Sequence, residues 1–205
     1  MFYRPRDADH GLRHNPFKAL VAPRPIGWVS SRDAEGRANL APFSYFNAFG
    51  DAPPLLGLAF NGVKDADGAR KDTLSNIEAT GVFAVNLVSA ALGDAMNATS
   101  GRYPAELDEF EHAGLEKAPC REIDVPRVAA SPAAFECRLW RVISLPAWGP
   151  EHRADLAIGE VVGVHIDPAV IADGRVDVTR YRPLARLGYR DYAAIDAVFQ
   201  LTRPE

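Results

Sequence analysis

The sequence predicts a mainly β protein with short helices, an α+β chain whose core is built by strands. Three observations carry that prediction. Strand-length runs rich in Val, Ile, Phe and Trp recur along the chain, clusters of Gly, Pro, Asp and Asn separate them, and helix signals are confined to short stretches after Lys71 and after Ser89.

Residues 1–16 are polar. Gly11 and the Asn15-Pro16 stop argue against a helix that would align His10 and His14 as a metal pair, so the tract reads as a solvated N-terminal extension. Pro23 and Pro25 impose an extended entry. Ile26 to Arg32 reads as a strand that stops at Asp33-Ala34-Glu35-Gly36, a run suited to a hairpin turn, and the chain returns through Arg37 to Pro42. After a polar and aromatic knot, Ser44 to Asn47, and a turn at Asp51 to Pro54, the apolar run Leu55 to Phe60 fits a buried strand.

Asn61 to Arg70 is a polar loop. Lys71 to Gly81 carries helix signals: Asp72 or Thr73 to cap the first turn, Leu74 and Ile77 on one face, and Gly81 to end it in the left-handed conformation. Val82 to Val88 is a strand whose apolar run is interrupted by Asn86, an amide best explained by a structural hydrogen bond. Ser89 to Ala98 reads as a helix with Leu92 and Met96 on its buried face. Residues 101–131 are a long segment of weak periodicity. Its acidic tract, Glu106 to Glu111, lacks the turn Gly and ligand spacing of a calcium loop and reads as a solvated face. Strands return at Phe135 to Ser144, where apolar Phe135, Cys137 and Leu139 alternate with polar Glu136 and Arg138. The next is Leu156 to Asp167, where Gly159 and Gly163 mark bends or close backbone approaches. His165, taken alone, reads as a structural histidine.

With 205 residues, 47% hydrophobic and 24% charged, the chain is expected to form one domain over residues 1–205. A net charge of -4 without any basic run argues against a nucleic-acid surface. No apolar run approaches a membrane span, and the charged N-terminus predicts no export signal. The expectation is a cytoplasmic protein with Cys120 and Cys137 as free thiols. No G-x-S-x-G elbow, Walker A loop, Rossmann G-x-G-x-x-G or paired-Cys zinc pattern is present, so no metal is expected and cofactor chemistry remains. Asn39, Ser44, Tyr45 and Asn47 place amides and hydroxyls beside aromatic rings at one sheet edge, which suits a flat heteroaromatic ligand. For Arg70 and Lys71, at a helix start with Thr73, two readings stand: a phosphate site, or solvated basic neighbours of a surface helix.

The stretch RPIGWVSSRDAEGRANLAPFSYFNA, followed by RKDTLSNI and then by NLVS, MNATS, DEFE and ECRL, resembles the flavin reductase-like family of FMN-binding split-barrel proteins. The likeness runs from about Phe17 to about Leu201. It implies an FMN-binding split β-barrel, usually a homodimer, that reduces flavin with NADH or NADPH. The family's RKDT-like segment sits where the FMN phosphate binds, which assigns Arg70, Lys71, Asp72 and Thr73 to that end. For the isoalloxazine bed the expected residues are Trp28, Val29, Ser30, Tyr45 and Phe46, and for its pyrimidine edge Asn39, the Ala41 backbone, Ser44 and Asn47. In such a fold His165 approaches the flavin edge.

Related proteins carry an RLGG-plus-Tyr segment that folds back toward the flavin, which implicates Arg186 and Tyr189 in the C-terminal segment, residues 180–205, over the flavin site or dimer interface. Tyr189 stands where the second Gly is common, and a docked segment with no ligand contact is the other reading. The implied activity is hydride transfer from nicotinamide to FMN, supplying reduced flavin to a separate oxygenase; the rival is a non-catalytic FMN-binding electron carrier serving a redox protein. Neither requires a side-chain acid or base, and no residue is assigned a catalytic role.

Overall fold

A computed structural model describes residues 1–7, 9–64 and 69–204. A single helical turn, α1 (Phe17–Leu20), precedes the short strand β1 (Arg24–Pro25) and then β2 (Gly27–Arg32), β3 (Ala38–Phe43), β4 (Phe46–Asp51) and β5 (Pro54–Asn61). Helix α2 (Asp72–Thr80) leads into β6 (Val82–Leu87) and, after a 3-10 turn at Ala90–Leu92, helix α3 (Gly93–Ala98). Helix α4 (Glu109–His112) and a small pair of strands, β7 (Lys117–Pro119) and β8 (Pro126–Val128), come next. The long strands β9 (Ala133–Leu145) and β10 (Ala154–Ile166) follow. The pair β11 (Ile171–Ala172) and β12 (Arg175–Val176), helix α5 (Val178–Tyr181), β13 (Leu184–Arg186) and β14 (Tyr192–Ala194) finish the chain. Among the described residues no helix is long and apolar enough to cross a membrane.

The main sheet is antiparallel, with strand order β3-β2-β6-β9-β10-β5-β4. Its two end strands, β3 and β4, are neighbours in sequence, joined only by Ser44 and Tyr45. Laid flat, seven strands would hold those ends roughly 29 Å apart. The steps from Phe43 to Phe46 reach only about 10 Å. The sheet therefore rolls into a barrel, and the Ala59 N–H, donating to the Tyr45 carbonyl at 2.8 Å, extends the β4–β5 ladder into the connection. Bulges at Ile158/Gly159 and Val161/Gly163 put the bend into β10, as the glycines predicted. A Cβ at Gly159 would lie 2.5 Å from the Phe83 ring.

The barrel interior holds Val29, Phe43, Leu58, Phe60, Phe83 and Val85, with Leu74 and Ile77 of α2 closing one end. A second cluster outside the barrel wall joins Trp28, Leu40, Val88, Met96, Phe110 and Val128. Strand β2 is thus covered on both faces, and Trp28, Val29 and Ser30 are all fully buried. Asn86 bridges three strands as a buried structural amide: its Nδ2 donates to the Trp28 carbonyl and to Ser30 Oγ, and its Oδ1 accepts the Val128 N–H at 2.8 Å.

Several local expectations change. The knot from Ser44 to Asn47 gives way at Phe46 to strand β4, which shows no alternation because it is an edge strand paired only with β5. Helix α2 has Lys71 in the N-cap position with no side-chain cap, and neither Asp72 nor Thr73 caps it: Asp72 pairs with Lys64 and Thr73 with Asn39. Its end at Gly81, φ +73, is as expected. Within residues 101–131, Glu109 is buried rather than solvated. Asp108 accepts the Phe110 N–H to start α4. Glu109 then faces end strand β3, where its Oε2 accepts the Leu40 N–H at 2.9 Å. An end strand has no neighbour for that donor, and the carboxylate takes the neighbour's place.

Burial, helped by the charges of Asp108 and Asp72, holds the Glu109 carboxyl above its ordinary value of 4.5 despite the Leu40 N–H. A raised carboxyl stabilises the fold below its unfolded-state value and loses that contribution as the pH climbs through its folded-state value. Across the interval above pH 4.5 the unfolding free energy of the wild type should fall relative to Glu109→Gln. Urea denaturation at a series of pH values reads the two slopes; parallel curves would remove the assignment.

Candidate functional site

A groove opens beside the barrel seam in two parts that share Pro42, Phe43 and Ser100. The smaller part, about 260 Å³, is walled by β3, the start of α2 and residues 99–103. The larger, about 1100 Å³, is bordered by Tyr45, by α3 and by the C-terminal segment.

In the smaller part a buried relay sets the wall. Thr73 Oγ1 donates to Asn39 Oδ1 at 2.7 Å, and Asn39 Nδ2 donates to Glu109 Oε1 at 3.0 Å. The hairpin strand, α2 and α4 are held in one register by these bonds. Lys71 sits at the mouth, its ammonium 5.7 Å from the Phe43 ring centroid. Burial first, then the charges of Arg102 and Lys18, pull the Lys71 pKa below the ordinary lysine value. Among the described residues none of these three cations is in an ion pair. Asp72, beside them, is neutralised by Lys64 at 2.6 Å. The first N–H groups of α2 lack intrahelical acceptors, so the smaller part presents uncompensated positive charge and open donors.

The larger part is aromatic and basic. Arg24, 7% exposed, ties its rim together: the guanidinium donates to the carbonyls of Lys18, Val21 and Leu187, approaches Ser44 Oγ and lies 6.0 Å from the Tyr45 ring. Arg186 stacks 4.4 Å from the Tyr192 ring centroid and also donates to the Tyr192 hydroxyl and the Tyr189 carbonyl. Gly188 lies so close to α1 that a Cβ there would meet Ala19 at 2.6 Å. Tyr189 then takes φ +52, the left-handed conformation that glycine adopts freely, and its ring joins the groove lining. The N-terminal extension reaches the same rim through Asn15, and His14 contacts the Tyr189 ring.

Of the residues singled out from sequence, the groove lining includes Asn39, Ala41, Ser44, Tyr45, Lys71, Asp72, Thr73, Arg186 and Tyr189. Others lie elsewhere. Trp28, Val29 and Ser30 are fully buried because both faces of β2 are covered, and the Trp28 indole donates to Thr99 Oγ1. Phe46 packs against Gly27 and the barrel core, and Asn47 is exposed on the outer strand β4. Arg70 pairs with Glu78 along α2. His165 is 2.5 Å from Glu136 and borders neither part of the groove. Sequence reasoning missed Lys18, Arg24, Arg102, Glu109 and Tyr192, which come from five separate segments; only the compact MNATS-GRY stretch offered a signal for Arg102. Chemically, the groove offers cations at one end and planar aromatic surface at the other. That arrangement suits a planar ligand with an anionic tail.

Residues 20–185 match the family described as the flavin reductase like domain. Among solved structures, nitrilotriacetate monooxygenase component B from Bacillus cereus is 30% identical, with a TM-score of 0.89 covering 98% of this chain and 98% of that one. The 2-nitrobenzoate 2-nitroreductase NbaA of Pseudomonas fluorescens, also 30% identical, gives 0.84 over 100% of this chain and 96% of its own. A Shewanella frigidimarina protein described as a flavin reductase with split barrel domain is 25% identical, with a TM-score of 0.77 over 92% of this chain and 90% of its own. The rolled sheet is thus a split barrel, and the chain belongs to the flavin reductase-like family.

Proposed function

We propose that this protein binds FMN and acts as an NAD(P)H-dependent flavin reductase. The observation that carries the reading is the pair Lys71 and Arg102, without an ion-pair partner among the described residues, beside the first turn of α2, with Lys18 on the adjoining aromatic part of the groove. Lys71 is partly withdrawn from water without a counter-charge, which is costly, and a phosphate dianion is the group that relieves the cost. The donor set therefore fits FMN. Lys71, Thr73 and the α2 N–H groups would hold the phosphate, and Phe43, Ser44, Tyr45 and the Ala41 backbone would hold the ring system. When bound, FMN accepts hydride from a nicotinamide and passes the electrons on.

What the chain itself contributes is position and exclusion. The seam fixes Phe43 and Tyr45 relative to the phosphate end, and the Asn39 relay keeps Thr73 from turning away. Tyr189, Tyr192 and Arg186 leave space in the larger part for a second planar ring, since about 1100 Å³ is more than one ring needs. Arg186 is held rigidly enough to face negative charge without rearranging. No proton transfer by a side chain is required.

Further parts of the proposal concern its setting. The likeness to a monooxygenase component supports a role in supplying reduced flavin to a separate oxygenase. Trp140, Ile143 and Leu145 on β9 are exposed, and we assign this apolar surface to a homodimer contact. The two unpaired cysteines accord with the reducing cytoplasm.

Three measurements test the proposal. Fluorescence titration should show Lys71→Ala weakening FMN about tenfold or more while leaving riboflavin nearly unchanged, with Arg70→Ala altering neither, because Arg70 is engaged with Glu78. Equal losses for the two flavins would sink the phosphate assignment. Purified protein with added FMN should oxidise NADH or NADPH; absence of oxidation with both would favour an electron carrier instead. Sedimentation should return a dimer, and a monomer that binds FMN tightly would contradict the assigned contact.

A further inference from the structure

Three side chains that the groove does not use meet at one point. Cys120 follows β7, Glu136 lies on β9 and His165 on β10, and the Cys sulfur, a Glu oxygen and a His nitrogen all lie within 4.8 Å of one another. The fold brings them there by identifiable means. Glu136 is opposite Gly163 across a bulge, where a Cβ would stand 3.2 Å from the carboxyl carbon, so the missing side chain makes room for the carboxylate. His165, two residues on, places Nε2 at 2.5 Å from Glu136 Oε1. The N–H groups of Arg121 and Glu122 donate to the two carboxylate oxygens at 2.8 and 2.7 Å, which anchors the segment carrying Cys120 to the same group.

We propose that Cys120, Glu136 and His165 form a zinc(II) site, completed by water. One sulfur, one imidazole nitrogen and one carboxylate oxygen is a zinc donor set, whereas magnesium and calcium take oxygen. With bonds of about 2.0–2.3 Å, tetrahedral ligand atoms stand roughly 3.3–3.8 Å apart. The three atoms, within 4.8 Å of one another, close toward that spacing, and the His165 to Glu136 contact opens by about an ångström as the ion takes the place of the proton between them. The His165 side chain is 17% exposed, which gives the ring freedom to turn and the ion a path. On binding, the thiol proton passes to water, and the imidazole is held as the tautomer with its proton on Nδ1, which leaves Nε2 free to coordinate. Zinc has no redox chemistry, so its role here is to pin the β7–β8 arm to β9 and β10.

Cobalt(II) added to the full-length reduced protein is the probe. A thiolate-to-cobalt charge-transfer band in the near ultraviolet, discharged by equimolar zinc, is expected. Cys120→Ser should abolish it, His165→Gln should weaken cobalt binding about tenfold or more, and Cys137→Ala should leave it intact. No band in the wild type, or a band that persists in Cys120→Ser, overturns the site. Should Cys120→Ser fail to fold by circular dichroism, His165→Gln decides: both thiols remain, and unchanged cobalt affinity overturns the assignment.

Discussion

The structure depends on one short connection. Ser44 and Tyr45 join strands at opposite ends of a seven-stranded sheet, and the reach of so few residues leaves the sheet no option but to curl. Closure buries one set of side chains inside the barrel and forces the other to find cover from α3, α4 and the C-terminal segment. It also sets the groove at the seam, because the connection itself contributes Ser44 and Tyr45 to the lining while Pro42 and Phe43 border both parts. Architecture and groove thus come from the same constraint.

Around the seam, buried polar groups do what apolar packing cannot: they fix register. Asn39 joins α2 to α4 through Thr73 and Glu109, and Asn86 joins β2, β6 and β8. A hydrocarbon contact tolerates sliding, whereas an unsatisfied amide in the interior costs about 1–3 kcal/mol. The N–H of Leu40 on an end strand shows the same logic: lacking a strand neighbour, it draws a glutamate out of an acidic tract and into the core.

Charge separates two adjacent basic residues that look alike in the chain. Arg70 finds Glu78 two turns along α2 and is neutralised; Lys71, at the helix start, is desolvated and faces other cations. Only an environment of the second kind stores electrostatic free energy that an anionic ligand can release. The opposite case is Asp72, which sits nearest the helix start and is cancelled by Lys64, so that the local field stays positive.

Strand and helix identities were legible in the sequence because they rest on local periodicity and turn chemistry. Ile26 to Arg32, Leu55 to Phe60, Val82 to Val88, the Gly81 stop and the bends at Gly159 and Gly163 all follow from residues within a few positions of one another. Asn86 as a hydrogen-bonding amide was legible too, since a lone polar group in an apolar run must be satisfied. The groups expected around a planar anionic ligand were legible only in part. Lys71, Thr73, Asn39, Ser44 and Tyr45 meet at the groove, while Trp28, Val29 and Ser30 do not, because whether a strand has one covered face or two is set by elements far away in the chain. The same holds for Glu109, for Glu136 with His165, and for Arg24. A residue's type and spacing declare what it can do, but its partners arrive from other segments, and only the folded chain decides which of them it meets.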